Sequence, residues 1–314
     1  MKYDENVGGL VPAVSGTDLA AAVPGLDKLA SIEVREFSNH ASCEMTPEKM
    51  FNLSHMIEKA LKEEDVAGAV VTHGTDTVEE TAYMLDLLHK SEKPIVLTAA
   101  MRGASDTSPD GPANIYCAVK TAASSEAKNI GVLVLLNEMI HAAAQVRKTH
   151  SANPATFDSP WWGPLGYCDV DRVVIRRAPL NRQTFSPEKL TAKVDIIPAE
   201  TGSDRSYIDF AVSQGCNGII VEGFGRGNIP SDMEEGIKNA VDKGVVVVIT
   251  TRTSGGRPFP VYAYPGSVTD SIRNGAICGG ELSSAKTRLK LMVALSEKPE
   301  LAQNKEALTK ILDE

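Results

Sequence analysis

From residue 66 to residue 136 the chain alternates short apolar runs with stretches of helical periodicity, and no other feature limits its fold as tightly. Residues 66–72, 94–99 and 130–136 read as buried strands, and residues 77–89 and 114–124 as the helices between them. An unbroken apolar run must be covered on both faces, which is the condition of a strand in a parallel βαβ unit. The pattern resumes later, with strands near 194–197, 218–221 and 245–249 and helices near 207–214, 232–242 and 285–296. Residues 181–193 between the two regions are polar, hold Pro187 and read as a linker. The chain of 314 residues thus divides into an N-terminal α/β catalytic domain (1–180), a linker (181–193) and a smaller C-terminal α/β domain (194–314).

The start of the chain is less regular. Its first residues are polar, Gly8-Gly9 breaks any element, and helical character begins only at residues 17–23. No buried strand opens the domain, where a doubly wound domain normally has one. Residues 32–37 alternate as a short strand should. Thr46 as N-cap and Pro47 at the first helical position then start a helix with Met50, Leu53, Ile57 and Leu61 on one face.

Composition removes several function classes. A net charge of −9 is wrong for a nucleic-acid surface or an anionic membrane surface. No apolar run is long enough to span a bilayer, and no signal peptide opens the sequence. Cys43, Cys117, Cys168, Cys216 and Cys278 are odd in number, far apart and in no CxxC pair. That usage implies reduced thiols in a cytoplasmic compartment and no zinc site. The six histidines show no metal-binding spacing, so no metal or cofactor is expected.

The chemistry concentrates where the strand 66–72 turns into a helix, the usual place for a site in an open α/β sheet. Thr75, Asp76 and Thr77 crowd that turn. Asp76 and Glu79 also form a capping-box pattern, and capping alone would account for them. A threonine nucleophile needs a base, and Lys148 follows the strand 130–136 closely enough to reach the same sheet edge. Its alternative is a solvated basic loop. Residues 108–114 read as turn chemistry, residues 223–228 have the wrong glycine spacing for a dinucleotide loop, and residues 253–258 read as a mobile turn. His73 reads as a packed or turn-bonded histidine, and Trp161-Trp162 as a buried anchor or subunit contact.

An ordered set of motifs then resembles the bacterial-type L-asparaginase family. It comprises His73-Gly74-Thr75-Asp76-Thr77 with Glu79-Glu80-Thr81-Ala82-Tyr83, Ala100-Met101-Arg102, and Ser108-Pro109-Asp110-Gly111-Pro112-Ala113-Asn114. Arg147-Lys148-Thr149, Gly163-Pro164-Leu165-Gly166-Tyr167, Gly225-Arg226-Gly227-Asn228 and Lys286-Thr287-Arg288-Leu289 complete it. The resemblance implies a larger flavodoxin-like parallel-sheet domain followed by a smaller α/β domain. It also implies hydrolysis of L-asparagine, with L-glutamine a poorer substrate, through a threonine acyl-enzyme in a homodimer or homotetramer. Thr75, Asp76 and Lys148 match the family's triad, with Asp76 also meeting the substrate's α-ammonium. Ser42 matches the serine that holds the α-carboxylate. Cys43 stands where relatives carry Gln or Ser. The Ala100 carbonyl matches a contact to the leaving amide, and Asn228 an asparagine lent by a neighbouring subunit.

One departure stands out. The family begins with a strand ending in Thr-Gly-Gly-Thr-Ile, whose first threonine is commonly the primary nucleophile, and this sequence has no such motif. Three expectations follow: a start placed too late in an ordinary asparaginase, a nearly inactive chain, or Thr75 as sole nucleophile with Lys148. Two rival functions go with them, an amino-acid-binding homologue without turnover and the amidase subunit of an amidotransferase.

Overall fold

The computed structural model of the chain describes residues 2–11 and 14–313. Its contacts divide the chain into a unit of residues 1–184 and a unit of residues 185–314.

The first unit opens with a small antiparallel hairpin, β1 (Lys2–Asp4) and β2 (Gly9–Val11), and a short helix α1 (Gly16–Ala21). Helix α2 (Pro47–Leu61) starts as its sequence dictates. Thr46 accepts the Lys49 N–H, Pro47 occupies the first turn, and Met50, Leu53, Ile57 and Leu61 are buried. Then come β3 (Ala69–Thr72), α3 (Val78–Leu88), β4 (Ile95–Thr98), α4 (Gly111–Ala122) and β5 (Val132–Leu136). These three strands are parallel, and β4 and β5 are buried along their whole length. Alternate residues serve opposite layers. Ile95, Leu97, Val132 and Val134 pack with α2 and α3, while Val96, Leu133 and Leu135 pack with Ala118 and Ala122 of α4.

Beyond β5 the sheet reverses. Asn137 and Glu138 both have positive φ, 48° and 66°, and join β5 to the antiparallel β6 (Met139–Ala142) through a two-residue turn. A two-stranded ribbon follows, β7 (Arg147–Lys148) with β8 (Phe157–Asp158). β9 (Gly166–Cys168) and β10 (Val173–Ile175) complete a six-stranded sheet of order β10-β9-β6-β5-β4-β3. Only half of it is parallel.

The strand expected at residues 32–37 is not formed. The segment is extended, exposed and without a ladder partner, held by Glu36 accepting the Gly16 N–H and by Arg35 on Glu63. The reason is pairing. β3 ends the sheet, and its bonds from Ala69 to Pro94 and from His73 to Thr98 face β4. No strand among the described residues pairs with its other edge; residues 32–37 are tied by their side chains to Gly16 and Glu63 and enter no ladder. Of the two expectations for Trp161 and Trp162, the buried anchor is not met. They are 83% and 50% exposed, so neither is a buried anchor. Trp161 has φ 71°, in the left-handed region that a residue other than glycine rarely adopts.

The second unit is a four-stranded parallel sheet of order β11-β12-β13-β14. Its elements run β11 (Val194–Pro198), α5 (Ser206–Ser213), β12 (Gly218–Gly223), α6 (Glu234–Asp242), β13 (Val246–Thr251), α7 (Val268–Arg273), β14 (Ile277–Cys278), α8 (Ser284–Glu297) and α9 (Lys305–Asp313). Ile219, Val221, Val247 and Ile249 pack with Ile208 of α5 and Ile237 of α6. Ile220, Val246 and Val248 pack with Leu291 of α8 and Leu308 of α9. No helix among the described residues is long and apolar enough to cross a membrane.

Candidate active site

β3 carries its ladder one residue beyond the strand, with His73 N–H donating to Thr98 O at 2.9 Å, and then turns. The turn is locked by His73. Its Nδ1 lies 2.8 Å from Gly74 O, and a carbonyl can only accept, so Nδ1 carries the proton. Nε2 is thereby left to accept from Thr81 Oγ1 at 3.0 Å. Burial pushes the imidazole pKa below its ordinary value, which suits the neutral ring this bonding requires. His73 is a turn-bonded histidine, as its place in the sequence suggests.

A second lock comes from Ser42, which is buried in a short 3-10 turn, Ser42–Glu44. Its Oγ accepts the Asp76 N–H at 3.3 Å, and its carbonyl accepts Thr77 Oγ1 at 2.7 Å. The approach leaves no room for a side chain at Gly74, where a Cβ would stand 2.6 Å from Ser42 Oγ. Thr75 and Asp76 are therefore held between the end of β3 and the start of α3.

Lys148 arrives from the β7–β8 ribbon. Val146 and Phe157 are buried with Val78 and Ala82, which docks the ribbon on the first turns of α3. Lys148 Nζ donates to Thr75 Oγ1 at 3.0 Å and to Asp76 Oδ1 at 2.8 Å. The lysine side chain is 19% exposed and the aspartate 65%, so the cationic end of the ion pair is sheltered and its carboxylate faces solvent. A hydroxyl, an amine and a carboxylate are thus in contact at the end of β3. The solvated-loop alternative for Lys148 does not hold.

Glu79 does not cap α3. The N-cap residue Thr77 makes no side-chain capping bond, and Glu79 Oε2 accepts the Lys148 backbone N–H at 2.6 Å. The capping-box spacing concealed a tertiary partner. Asp110 and Asn114 also exceed turn chemistry. Asp110 accepts the N–H groups of Met101 and Arg102 at 3.0 and 2.9 Å. Asn114 Nδ2 donates to Ala99 O at 2.9 Å, and its Oδ1 accepts the Asn137 N–H at 2.9 Å. Together they brace the loop that carries Ala100 past the end of β4, beside the end of β3. The Asp-Gly-Pro-Ala-Asn spacing after a buried strand was the available signal for this brace.

Similarity to known proteins follows the same outline. The family model described as "Asparaginase, N-terminal" matches residues 1–181, and "Glutaminase/Asparaginase C-terminal domain" matches residues 193–308. The chain belongs to the asparaginase family. An L-asparaginase of Bacillus licheniformis is 37% identical over 293 residues, which is 93% of this chain and 91% of that protein. L-asparaginase 2 of Escherichia coli is 33% identical over 293 residues, 91% of this chain and 82% of that protein. A crystal structure described as a "Probable Cytoplasmic L-asparaginase" from Campylobacter jejuni superposes with a TM-score of 0.86 at 35% identity, covering 95% of this chain and 93% of that one. The mixed α/β architecture with a larger first unit and a smaller parallel-sheet unit is thus that of an asparaginase-family fold.

Among the residues that the family pattern singles out, Thr75, Asp76, Lys148 and Ser42 meet in one place. Cys43 is an exposed free thiol next to Ser42, and Ala100 is exposed at its loop. Asn228 belongs to the second unit, where its backbone N–H and carbonyl both bond Phe224 across a tight loop after β12. Its Oδ1 is buried and has no hydrogen-bond partner among the described residues. No cluster of three or more His, Cys, Asp or Glu that could hold a metal occurs among the described residues.

Proposed function

We propose that this chain hydrolyses L-asparagine to L-aspartate and ammonia, with Thr75 as nucleophile, Lys148 as its base and Asp76 as the charge that orients the lysine. The observation that carries this reading is the pair of contacts from Lys148 Nζ, 3.0 Å to Thr75 Oγ1 and 2.8 Å to Asp76 Oδ1. Lys148 Nζ takes the hydroxyl proton while Oγ1 attacks the side-chain amide carbon. Collapse of the tetrahedral intermediate breaks the C–N bond. The proton on Nζ passes to the leaving nitrogen, and ammonia departs from a β-aspartyl ester on Thr75. Water, deprotonated by the same amine, then cleaves the ester.

The exposed carboxylate of Asp76 is suited to the substrate's α-ammonium as well. Ser42 holds the α-carboxylate, with Cys43 beside it. The Ala100 carbonyl accepts from the leaving amide, and Asn228 is lent by a neighbouring subunit of a homodimer or homotetramer. L-glutamine, one methylene longer, is the poorer substrate. No metal or cofactor takes part. Residues 1–180 form the catalytic domain, 181–193 the linker and 194–314 the smaller domain. The protein works in the cytoplasm, a placement supported by its free cysteines.

The test is ammonia release from L-asparagine by the purified chain and by Thr75→Val, which keeps the volume and removes the hydroxyl. The wild-type chain turns over, and the variant loses at least about a hundredfold in kcat while L-aspartate still raises its melting temperature. An undiminished rate in Thr75→Val overturns the assignment.

A further inference from the structure

The proposed mechanism depends on a lysine amine reaching one hydroxyl, and a lysine has a long flexible stem. What holds its backbone decides where the amine stands. β7, which carries Lys148, is two residues long, and its pairing with β8 continues through the Thr149 N–H to Thr156 O at 2.7 Å rather than through the Lys148 N–H. The Lys148 N–H instead donates to Glu79 Oε2 at 2.6 Å, across 69 residues of sequence. Glu79 lies in the first turn of α3, four residues after Thr75 and three after Asp76. The turn between β3 and α3 thus carries both partners of the amine, and the first turn of α3 holds the amine's own main chain through a carboxylate.

We propose that Glu79 is a positioning residue for Lys148, setting the distance from Nζ to Thr75 Oγ1. This rests on the functional reading above. A hydrogen bond to a carboxylate is short and about twice as strong as a neutral one. In a half-buried setting it pins the lysine backbone more firmly than water would. Glutamine keeps the acceptor oxygen at the same reach. Alanine removes it, and aspartate leaves it about one bond length short. Misplacement of a reacting group by about 1 Å costs on the order of a hundredfold in rate.

The experiment compares the full-length chain with Glu79→Ala, Glu79→Gln and Glu79→Asp by kcat, KM and melting temperature, and by crystal structures of the wild type and of the alanine and glutamine variants. Glu79→Ala lowers kcat about 10–100-fold, with KM within about threefold. Glu79→Gln recovers most of that loss, and Glu79→Asp falls between. In the crystals the Nζ–Oγ1 distance exceeds hydrogen-bond reach in Glu79→Ala and returns in Glu79→Gln. The proposal fails if alanine and glutamine lose rate equally, if KM carries the loss, or if the alanine crystal keeps the wild-type distance. A wild-type chain that releases no ammonia defeats the functional reading alone, because the crystal distances still decide the positioning role.

Discussion

Adding a single methyl at Gly74 puts the packing of the catalytic turn to the test. A Cβ there would stand 2.6 Å from Ser42 Oγ, 2.8 Å from Ser42 Cβ and 3.4 Å from Ser42 N, so Ser42 must move in Gly74→Ala. Two bonds depend on Ser42 staying put, the Asp76 N–H to its Oγ and the Thr77 Oγ1–H to its carbonyl. At about 0.5–1.5 kcal/mol each, their loss costs about 1–3 kcal/mol. The lower chain entropy of alanine in the unfolded state returns about 0.4–1 kcal/mol. At the midpoints of the two ranges the net destabilisation is about 1.3 kcal/mol, or roughly 3–5 °C in a unit of this size. Differential scanning fluorimetry reads the shift, and ammonia release falls with it because Thr75 is the next residue. Ser42→Gly removes both atoms that clash most closely, so Ser42→Gly/Gly74→Ala should be more stable than the sum of the single effects allows. An unchanged melting temperature in Gly74→Ala, or strict additivity in the double variant, would refute the steric reasoning.

Two further perturbations probe buried charge. Asp86 Oδ1 accepts the Val132 N–H and Arg182 Nε, both at 2.9 Å, while Arg182 also reaches His89 O. Asp86→Ala strands a half-buried guanidinium and a buried amide, so urea unfolding should show a loss of about 3 kcal/mol; a loss under about 1 kcal/mol would show the pair to be dispensable. Glu234 is buried and accepts Ser271 Oγ and Asn274 Nδ2, and burial pushes its carboxyl above the ordinary range. Folding then disfavours the ionised form, so stability falls as pH rises from the ordinary carboxylate value through the raised folded one and is level above it. Glu234→Gln should lack that decline, its advantage over the wild type growing from acid to neutral pH; a pH-independent gap would contradict the burial argument.

Much of this architecture is written locally. The unbroken apolar runs of β4 and β5, the Thr46-Pro47 start of α2 and the polar stretch after residue 180 are each set by residues within a few positions of one another. The turn at Thr75 and Asp76 is legible for the same reason, and the order of motifs around it points to the family. Other features depend on what meets what. The two positive-φ residues Asn137 and Glu138 reverse the chain and make half of the first sheet antiparallel, which a run of apolar residues cannot announce. Residues 32–37 have a strand's alternation but enter no ladder, and alternation without a partner leaves them extended and exposed. Glu79 has a capping residue's spacing, and only the docking of a ribbon from 69 residues downstream makes it the anchor of Lys148. Periodicity, capping and turn chemistry act between sequence neighbours and so can be read along the chain. Strand pairing and side-chain partnership come from closing long loops against a packed core, where several closures suit the same local pattern and the summed burial selects one.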